Sequence, residues 1–357
     1  MTASPLTDPN PHAEPASSTG GASPTISIVM PVYQAEAYLE RVLPPLAAAL
    51  EAGEVLEVLI IDDGSTDRSP ELCRAAGLDV RLSERRAGPA AARNRGAREA
   101  QGEVLLFLDA DTVMHPDVPQ RVRAEFAARP DCVALFGSYD DRPGHPGWVS
   151  QYRNLLHHYV HQKGREEAST FWSGCGAIRR EVFERVGGFD LERFEHASVE
   201  DIELGQRLRA AGHSVRLCKD VQVKHLKHWT LGNMLHTDIF RRARPWSRML
   251  IESPETARAL NLSNAERGRA LLALAFWGAL CAAPLSPPLA AVALVLLLFS
   301  LAASWDFYRL VGRCSGVGPM LTAMALHQLY YLYSAAVYGW TRAEHLVRGP
   351  RSAEEGS

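Results

Sequence analysis

The chain predicts an α/β fold, a mostly parallel sheet with flanking helices, followed by C-terminal membrane helices. Three observations carry that expectation. Short apolar runs alternate with helical patterns from Ile26 to about Gly137. Carboxylates stand directly after two of those runs, at Asp62-Asp63 and at Asp109-Ala110-Asp111. The last quarter of the chain then turns strongly apolar, from Ala270 onward. Strand–helix alternation with uninterrupted apolar strands means a parallel sheet covered on both faces.

Bulk properties narrow the classes. The 357 residues allow roughly two domains at about 150 residues each. Lys and Arg number 38 against 41 Asp and Glu, a net −3, which argues against bulk nucleic-acid binding. With 46% hydrophobic and 22% charged residues, disorder is excluded as the main state. Six cysteines without a C-x-x-C pair form neither a zinc framework nor a disulfide scaffold, and they suit a reducing compartment.

Residues 1–24 are rich in Pro, Ser, Thr, Ala and Gly, with no basic start and no apolar run, so a disordered tail is expected rather than a signal peptide. Ile26–Met30 reads as a buried strand and Ala35–Ala52 as an amphipathic helix. Val55–Ile61 is a second strand, Ser69–Ala76 a helix and Val80–Leu82 a short strand. Gly88–Ala100 is helical and Val104–Leu108 fully apolar. Pro116–Ala128 begins with a proline suited to a first helical turn, and Cys132–Phe136 closes the series. Further on, the spacing predicts helices over Val149–Lys163 and Glu200–Ala211, the latter stopped by Gly212.

Ala270–Leu285 is apolar throughout, Ser286-Pro287-Pro288 is a turn, and Leu289–Trp305 is an unbroken apolar run of 17 residues. A spanning helix needs roughly 17–25 apolar residues, so a membrane hairpin over 270–305 is expected. A third helix, 319–340, contains His327 and Gln328 and several tyrosines, and either spans or lies at the interface. Arginines at 241, 242, 244, 248, 258, 267 and 269 precede the hairpin, and Arg309 and Arg313 follow it. By the positive-inside tendency both hairpin ends and the α/β domain face the cytoplasm, at the inner membrane of the cell. The expected divisions are the tail, an α/β domain over 25–250, a basic linker over 251–269, the membrane region over 270–340 and a tail over 341–357.

An open α/β sheet binds its ligand beyond the carboxyl ends of its strands, where the acids lie. Asp109 and Asp111 repel one another unless a cation lies between them, and a hard divalent ion, Mn²⁺ or Mg²⁺, takes oxygen ligands of this kind. Asp62-Asp63-Gly64 reads either as turn chemistry or as acceptors for a nucleobase or ribose. A dinucleotide fingerprint, a P-loop, H-E-x-x-H and G-x-S-x-G are all missing.

Seven segments in order then resemble family 2 glycosyltransferases: Ile26–Leu39, Val58–Asp67, Ala91–Gly96, Leu105–Asp111, Phe171–Arg180, Gly187–Asp190 and Val199–Leu208. The resemblance covers roughly Ile26 to Trp229. It implies a GT-A, Rossmann-like fold and inverting transfer from a nucleotide-diphospho-sugar. It further implies that Pro31, Tyr33, Glu36, Asp62, Asp63, Arg93, Asn94 and Asp109 contact the nucleotide. Asp111, with Asp109 and one of His225 and His228, preferably His225, is then expected at the metal. Trp172, Gly174, Cys175, Gly176 and Glu200 are expected near donor sugar and acceptor, with Asp201 as general base. Helix-dipole stabilisation would lower the pKa of Asp201 and burial would raise it. His157, His158 and His161 read as a wet helix face or a metal pair.

No Q-x-x-R-W follows the base. The corresponding stretch is Arg241-Arg242-Ala243-Arg244-Pro245-Trp246, so single-sugar addition is expected rather than processive synthesis. Those arginines suit acceptor phosphates, anionic headgroups or topology alone. The expected acceptor is a lipid or lipid-linked glycan. A polyprenyl-phosphate sugar transferase is the rival within enzymes, and a non-catalytic nucleotide-sugar-binding scaffold is the rival outside them.

Overall fold

The computed structural model describes residues 23–83, 85–192, 199–252 and 264–348. Most of the N-terminal tail, the middle of the basic linker with Arg258, and the last residues of the chain lie outside the described residues.

Eight strands form one sheet in the order β3-β2-β1-β4-β7-β6-β8-β5. They are β1 (Ile26–Val32), β2 (Glu57–Asp62), β3 (Asp79–Leu82), β4 (Val104–Leu108), β5 (Thr112–Met114), β6 (Cys132–Tyr139), β7 (Cys175–Arg179) and β8 (Ser214–His225). The first four pair in parallel, as do β6 and β8. The sheet is nonetheless mixed, because β7 runs antiparallel between β4 and β6, and β5 runs antiparallel to β8. The reason lies in the connection. Leu108 pairs with Cys175, so the segment before β7 arrives at the carboxyl edge and the strand must run back from it.

Helices α1 (Glu36–Glu51), α2 (Ser69–Ala75), α3 (Pro89–Glu99), α4 (Val118–Ala128), α5 (Trp148–Lys163), α6 (Arg180–Arg185) and α7 (Glu200–Ala210) flank the sheet. Successive strand residues point to opposite faces, and both faces are covered. Ile28, Met30, Leu106 and Leu108 pack with Leu39, Leu46 and Phe126 on one side. Val29, Leu105 and Phe107 pack with Phe183, Phe189 and Leu204 on the other. Helix α3 approaches the sheet so closely at Gly96 that a Cβ there would run into Val29.

Beyond β8 the chain is helical: α8 (Leu231–His236), a π-helix (Thr237–Ala243), α9 (Arg244–Glu252), α10 (Asn264–Ala282), α11 (Pro288–Ala303), α12 (Trp305–Ser315) and α13 (Val317–Arg348). Among the described residues no single helix is long and apolar enough to cross a membrane. The pair α11 and α12 meets length and composition only together, with a bend of 67° between them. Tyr152 and Leu155 of α5 form a third core with Phe307, Tyr308 and Val311 of α12, which seats the C-terminal helices on the α/β domain. The arginines at 242, 244 and 248 are engaged within the chain. Arg242 faces Asp238 at 3.7 Å, and Arg244 and Arg248 face Glu344 at 3.2 and 3.8 Å.

Candidate active site at the carboxyl edge of the sheet

Strand β4 is followed by Asp109 and Asp111, and tertiary contacts separate the two. Asp109 Oδ1 accepts from Arg93 Nη2 at 2.5 Å. The other terminal nitrogen of Arg93 lies 3.5 Å from Glu200 Oε1 at the start of α7. Arg93 is 4% exposed and ties two carboxylate clusters from distant parts of the chain.

Asp111 Oδ2 lies 3.4 Å from His225 Nε2, the last residue of β8. Burial works against the Asp111 carboxylate, yet the His225 ring and the Lys227 ammonium hold its pKa below the usual range. The His225 ring is stacked on Tyr139 at 4.3 Å, with 7° between the planes. Its Nδ1 is 2.5 Å from Asn154 Oδ1, an amide oxygen that can only accept. With the amide so oriented Nδ1 carries a proton, and Nε2 is the ring nitrogen that faces Asp111. An oxygen and an imidazole nitrogen facing each other in this way fit a divalent cation. Among the described residues no group of three or more His, Cys, Asp or Glu is placed to hold a metal. The two-residue set therefore suits an ion that takes its remaining ligands from phosphate and water.

Asp201 stands in the first turn of α7. Its Oδ2 accepts the Ser173 N–H at 3.2 Å and faces Ser173 Oγ at 3.4 Å. Burial first, and then the neighbouring Glu200 charge, push its pKa up to about 7, against the lowering effect of the Ser173 N–H and Arg93. Of the opposing effects read from sequence, burial prevails over the helix terminus. Asp109, Asp111 and Asp201 all bear electrostatically on the buried Tyr139 hydroxyl, whose pKa burial itself raises most. A charged metal-type pair and a carboxylate poised to take a proton near neutrality thus share one edge of the sheet.

Several residues expected at the nucleotide have partners within the chain. Asn94 exchanges two hydrogen bonds of 2.8 Å with the backbone of Phe189, a buried structural bridge. Glu36 is held by Arg68 through a 2.7 Å bond, which lowers its pKa. Asp62 caps its own turn, accepting from the N–H groups of Gly64 and Ser65, although its Oδ1 is buried without a partner. Asp63 accepts from Ala87 and Gly88 at 2.7 and 2.8 Å, fixing the entry to α3. Pro31 is buried in β1. Tyr33 is exposed, with the Arg86 guanidinium 4.1 Å above its ring.

On the other side, Gly174 O accepts the Asp109 N–H at 3.4 Å, so this glycine lies beside the strand-end acids. A Cβ at Gly174 would run into the Trp172 ring, and one at Gly176 into Trp172 O and the Phe171 ring. Cys175 is fully buried, and burial pushes its thiol up to about 12, which makes it an inert core residue. His228 stacks on His145 at 4.0 Å.

The three histidines of α5 correct the expectation of a wet face. His158 and His161 contact the carbonyls of Tyr139 and Gly137 on β6 at 2.7 and 2.9 Å. His157 packs between Tyr139 and Trp172, at 4.2 and 4.6 Å, with its Nδ1 buried and unpartnered. Sequence reasoning missed Asn154, Tyr139 and Ser173 as site residues. Ser173 adjoins the glycines already singled out, whereas nothing local marks Asn154 or Tyr139.

Residues 27–187 match the profile of "Glycosyl transferase family 2", and residues 153–229 that of the "N-terminal domain of galactosyltransferase". The chain is 32% identical over 229 residues to the validoxylamine A glucosyltransferase of Streptomyces hygroscopicus subsp. limoneus, covering 53% of this chain and 49% of the relative. It is 33% identical over 137 residues to the undecaprenyl-phosphate 4-deoxy-4-formamido-L-arabinose transferase of Pseudomonas aeruginosa (strain LESB58), covering 36% and 40%. The chain spans about half the length of the curated relatives it matches. A mannosyltransferase of Pyrobaculum calidifontis, solved with GDP-mannose and Mn²⁺, superposes with a TM-score of 0.47 at 19% identity, over 89% of this chain and 88% of that one.

Proposed function

We propose that the chain, whose residues 27–187 match the glycosyltransferase family 2 model, is a glycosyltransferase of that family that performs inverting transfer of a single sugar from a UDP- or GDP-sugar to a lipid or lipid-linked glycan at a membrane surface. The observation that carries this reading is the Arg93 bridge. It joins the strand-end Asp109-Ala110-Asp111 to the Glu200-Asp201 helix start, uniting a cation-type pair with a carboxylate whose pKa is about 7.

Asp201 takes the proton of the acceptor hydroxyl as that oxygen attacks the anomeric carbon from the side opposite the diphosphate. Ser173 holds the carboxylate in place, and its N–H keeps the ionised form accessible near neutrality. Asp111 and His225 are the residues that would hold Mn²⁺ or Mg²⁺, which when bound neutralises charge on the leaving diphosphate. Gly174, which takes no Cβ, and Trp172 border the space beside Asp109 where the sugars meet.

A second reading, transfer to a polyprenyl phosphate, is favoured by the partial likeness to the undecaprenyl-phosphate transferase. The two differ in their need for a base, because a phosphate acceptor is already anionic.

The test is nucleoside-diphosphate release by the purified protein across UDP- and GDP-sugars, with Mn²⁺ or Mg²⁺ and with or without membrane lipid. Asp201→Asn is run alongside. Lipid-stimulated release from one donor, abolished by the substitution, supports the hydroxyl acceptor. Release only modestly slowed by it supports the phosphate acceptor. Donor binding without release under any lipid condition counts against a lipid acceptor.

A further inference from the structure

Among the described residues, the outer part of the finger formed by α10 and α11 carries exposed apolar side chains. No charged residue occurs from Ala270 to Trp305. The base of the finger is fixed to α13. Trp277 Nε1 donates to Gln328 O at 3.2 Å, Ser300 Oγ bonds Gln328 Oε1 at 2.9 Å, and Tyr331 donates to Glu266 at 2.9 Å. Beyond that level Leu280, Val292, Val295 and Leu298 are 44–58% exposed, and Leu285 at the tip is 89% exposed.

Length then sets the depth. From Trp277 to the tip is about 12 Å at 1.5 Å per residue, and from Ala270 it is about 22 Å. The hydrocarbon core of a bilayer is about 30 Å thick. The finger is therefore too short to cross, and its tip, Pro284-Leu285-Ser286-Pro287, carries no charge suited to a far headgroup layer.

Helix α13 has no freedom to cross either. Tyr333 donates to Asp238 of the π-helix at 2.7 Å, and Asp238 also pairs with Arg153 of α5 at 2.8 Å. Eleven residues on, Glu344 pairs with Arg244 of α9. A helix clamped along its length to charged groups of the α/β domain is held out of hydrocarbon. The exposed Trp305 and the cations Arg309 and Arg313 stand at the finger's base, where an aromatic ring and positive charge suit a headgroup layer.

We propose that the α10–α11 finger enters a single leaflet and returns, so that the chain is monotopic with both finger ends on the catalytic side. The proposal rests on the membrane reading above and replaces a crossing hairpin with a re-entrant one. Its occupant is the acyl layer of one leaflet. A lipid-borne acceptor would then be met from the leaflet on which the catalytic domain sits.

The test uses the full-length chain in membrane vesicles of both orientations. Cys281 and Cys314, the exposed cysteines among the described residues, are replaced by Ser, and Leu285→Cys is introduced. Vesicle flotation reads attachment, and a membrane-impermeant maleimide reads depth. The expected result is flotation with Leu285→Cys unlabelled from either side until detergent is added. An otherwise native Leu285→Arg chain should lose roughly a hundredfold in vesicle partitioning. Labelling from the far side means crossing and overturns the proposal while leaving attachment intact. Labelling from the catalytic side in protein that floats shows another anchor and also overturns it. Protein that does not float, or that cross-links through Leu285→Cys into dimers without lipid, overturns both the finger and the membrane reading.

Discussion

Arg93 and Asp109 are joined by a 2.5 Å contact between Nη2 and Oδ1, and this one pair divides the work of the strand-end acids. Asp109 is neutralised from within the protein, and Asp111 is left to face His225. The same guanidinium reaches Glu200, so the spacing of the two acidic clusters depends on it. Arg93→Ala removes the cation that faces the partly buried Asp109 and the buried Glu200. The expected loss is roughly 2–4 kcal/mol of stability, read by denaturant unfolding, with transfer abolished. Arg93→Lys should restore stability better than activity, since one ammonium cannot make both contacts; full recovery of activity by Lys would refute the bridging role.

Asp201 gives the reaction a pH signature. Its pKa of about 7 means that kcat/KM should rise through neutrality and level off above it. Asp201→Asn should remove both the limb and the turnover while leaving nucleotide affinity nearly unchanged. The rise is measured with a soluble donor in excess acceptor; a flat profile from pH 6 to 8 would count against the base assignment.

The same group makes an opposite prediction for stability. A carboxyl whose folded pKa exceeds its unfolded value near 4 binds more protons when folded between the two values. Its contribution is therefore favourable at acid pH and is lost as pH climbs from about 4 to about 7. Asp201→Asn should raise Tm by a few degrees at pH 8 and change it little at pH 4. Thermal melts at the two pH values check the difference.

Asn154 orients His225 from 71 residues away in sequence. Asn154→Leu should weaken Mn²⁺ binding in the presence of UDP by roughly 10- to 100-fold. Asn154→Asp, which still accepts from Nδ1, should retain it. Mn²⁺ titration by electron paramagnetic resonance measures both, and equal affinities for the two variants would sink the role.

Asp111→Ala should abolish the difference between UDP binding in Mn²⁺ and in chelator, as read by calorimetry. Asp109→Asn should preserve most of that difference, because Asp109 already faces Arg93. Equivalent losses in the two variants would show that both acids ligate.

Much of this molecule is readable in its sequence because the deciding forces are local. The runs Val104–Leu108 and Ile26–Met30 are uninterrupted apolar segments, and such segments are strands buried on both faces wherever they end up in the sheet. The turn residues after Ile61 and the acids after Leu108 follow directly, as does their place at the carboxyl edge. The order of family motifs is likewise a property of the chain.

Tertiary structure alone decided which acid has which partner, because charge pairing depends on distance through space and not along the chain. Arg93 and Asn94 are adjacent and polar, yet one joins two acids and the other bridges to Phe189. The direction of β7 was set by the edge at which its loop arrives, and Asn154 by the docking of α5 over β6 and β8. The depth proposed for the apolar finger rests on tertiary contacts in the same way. Hydropathy marks Leu289–Trp305 as apolar, but only tertiary structure ties Trp277 and Ser300 to Gln328 and so fixes the base of the finger to α13.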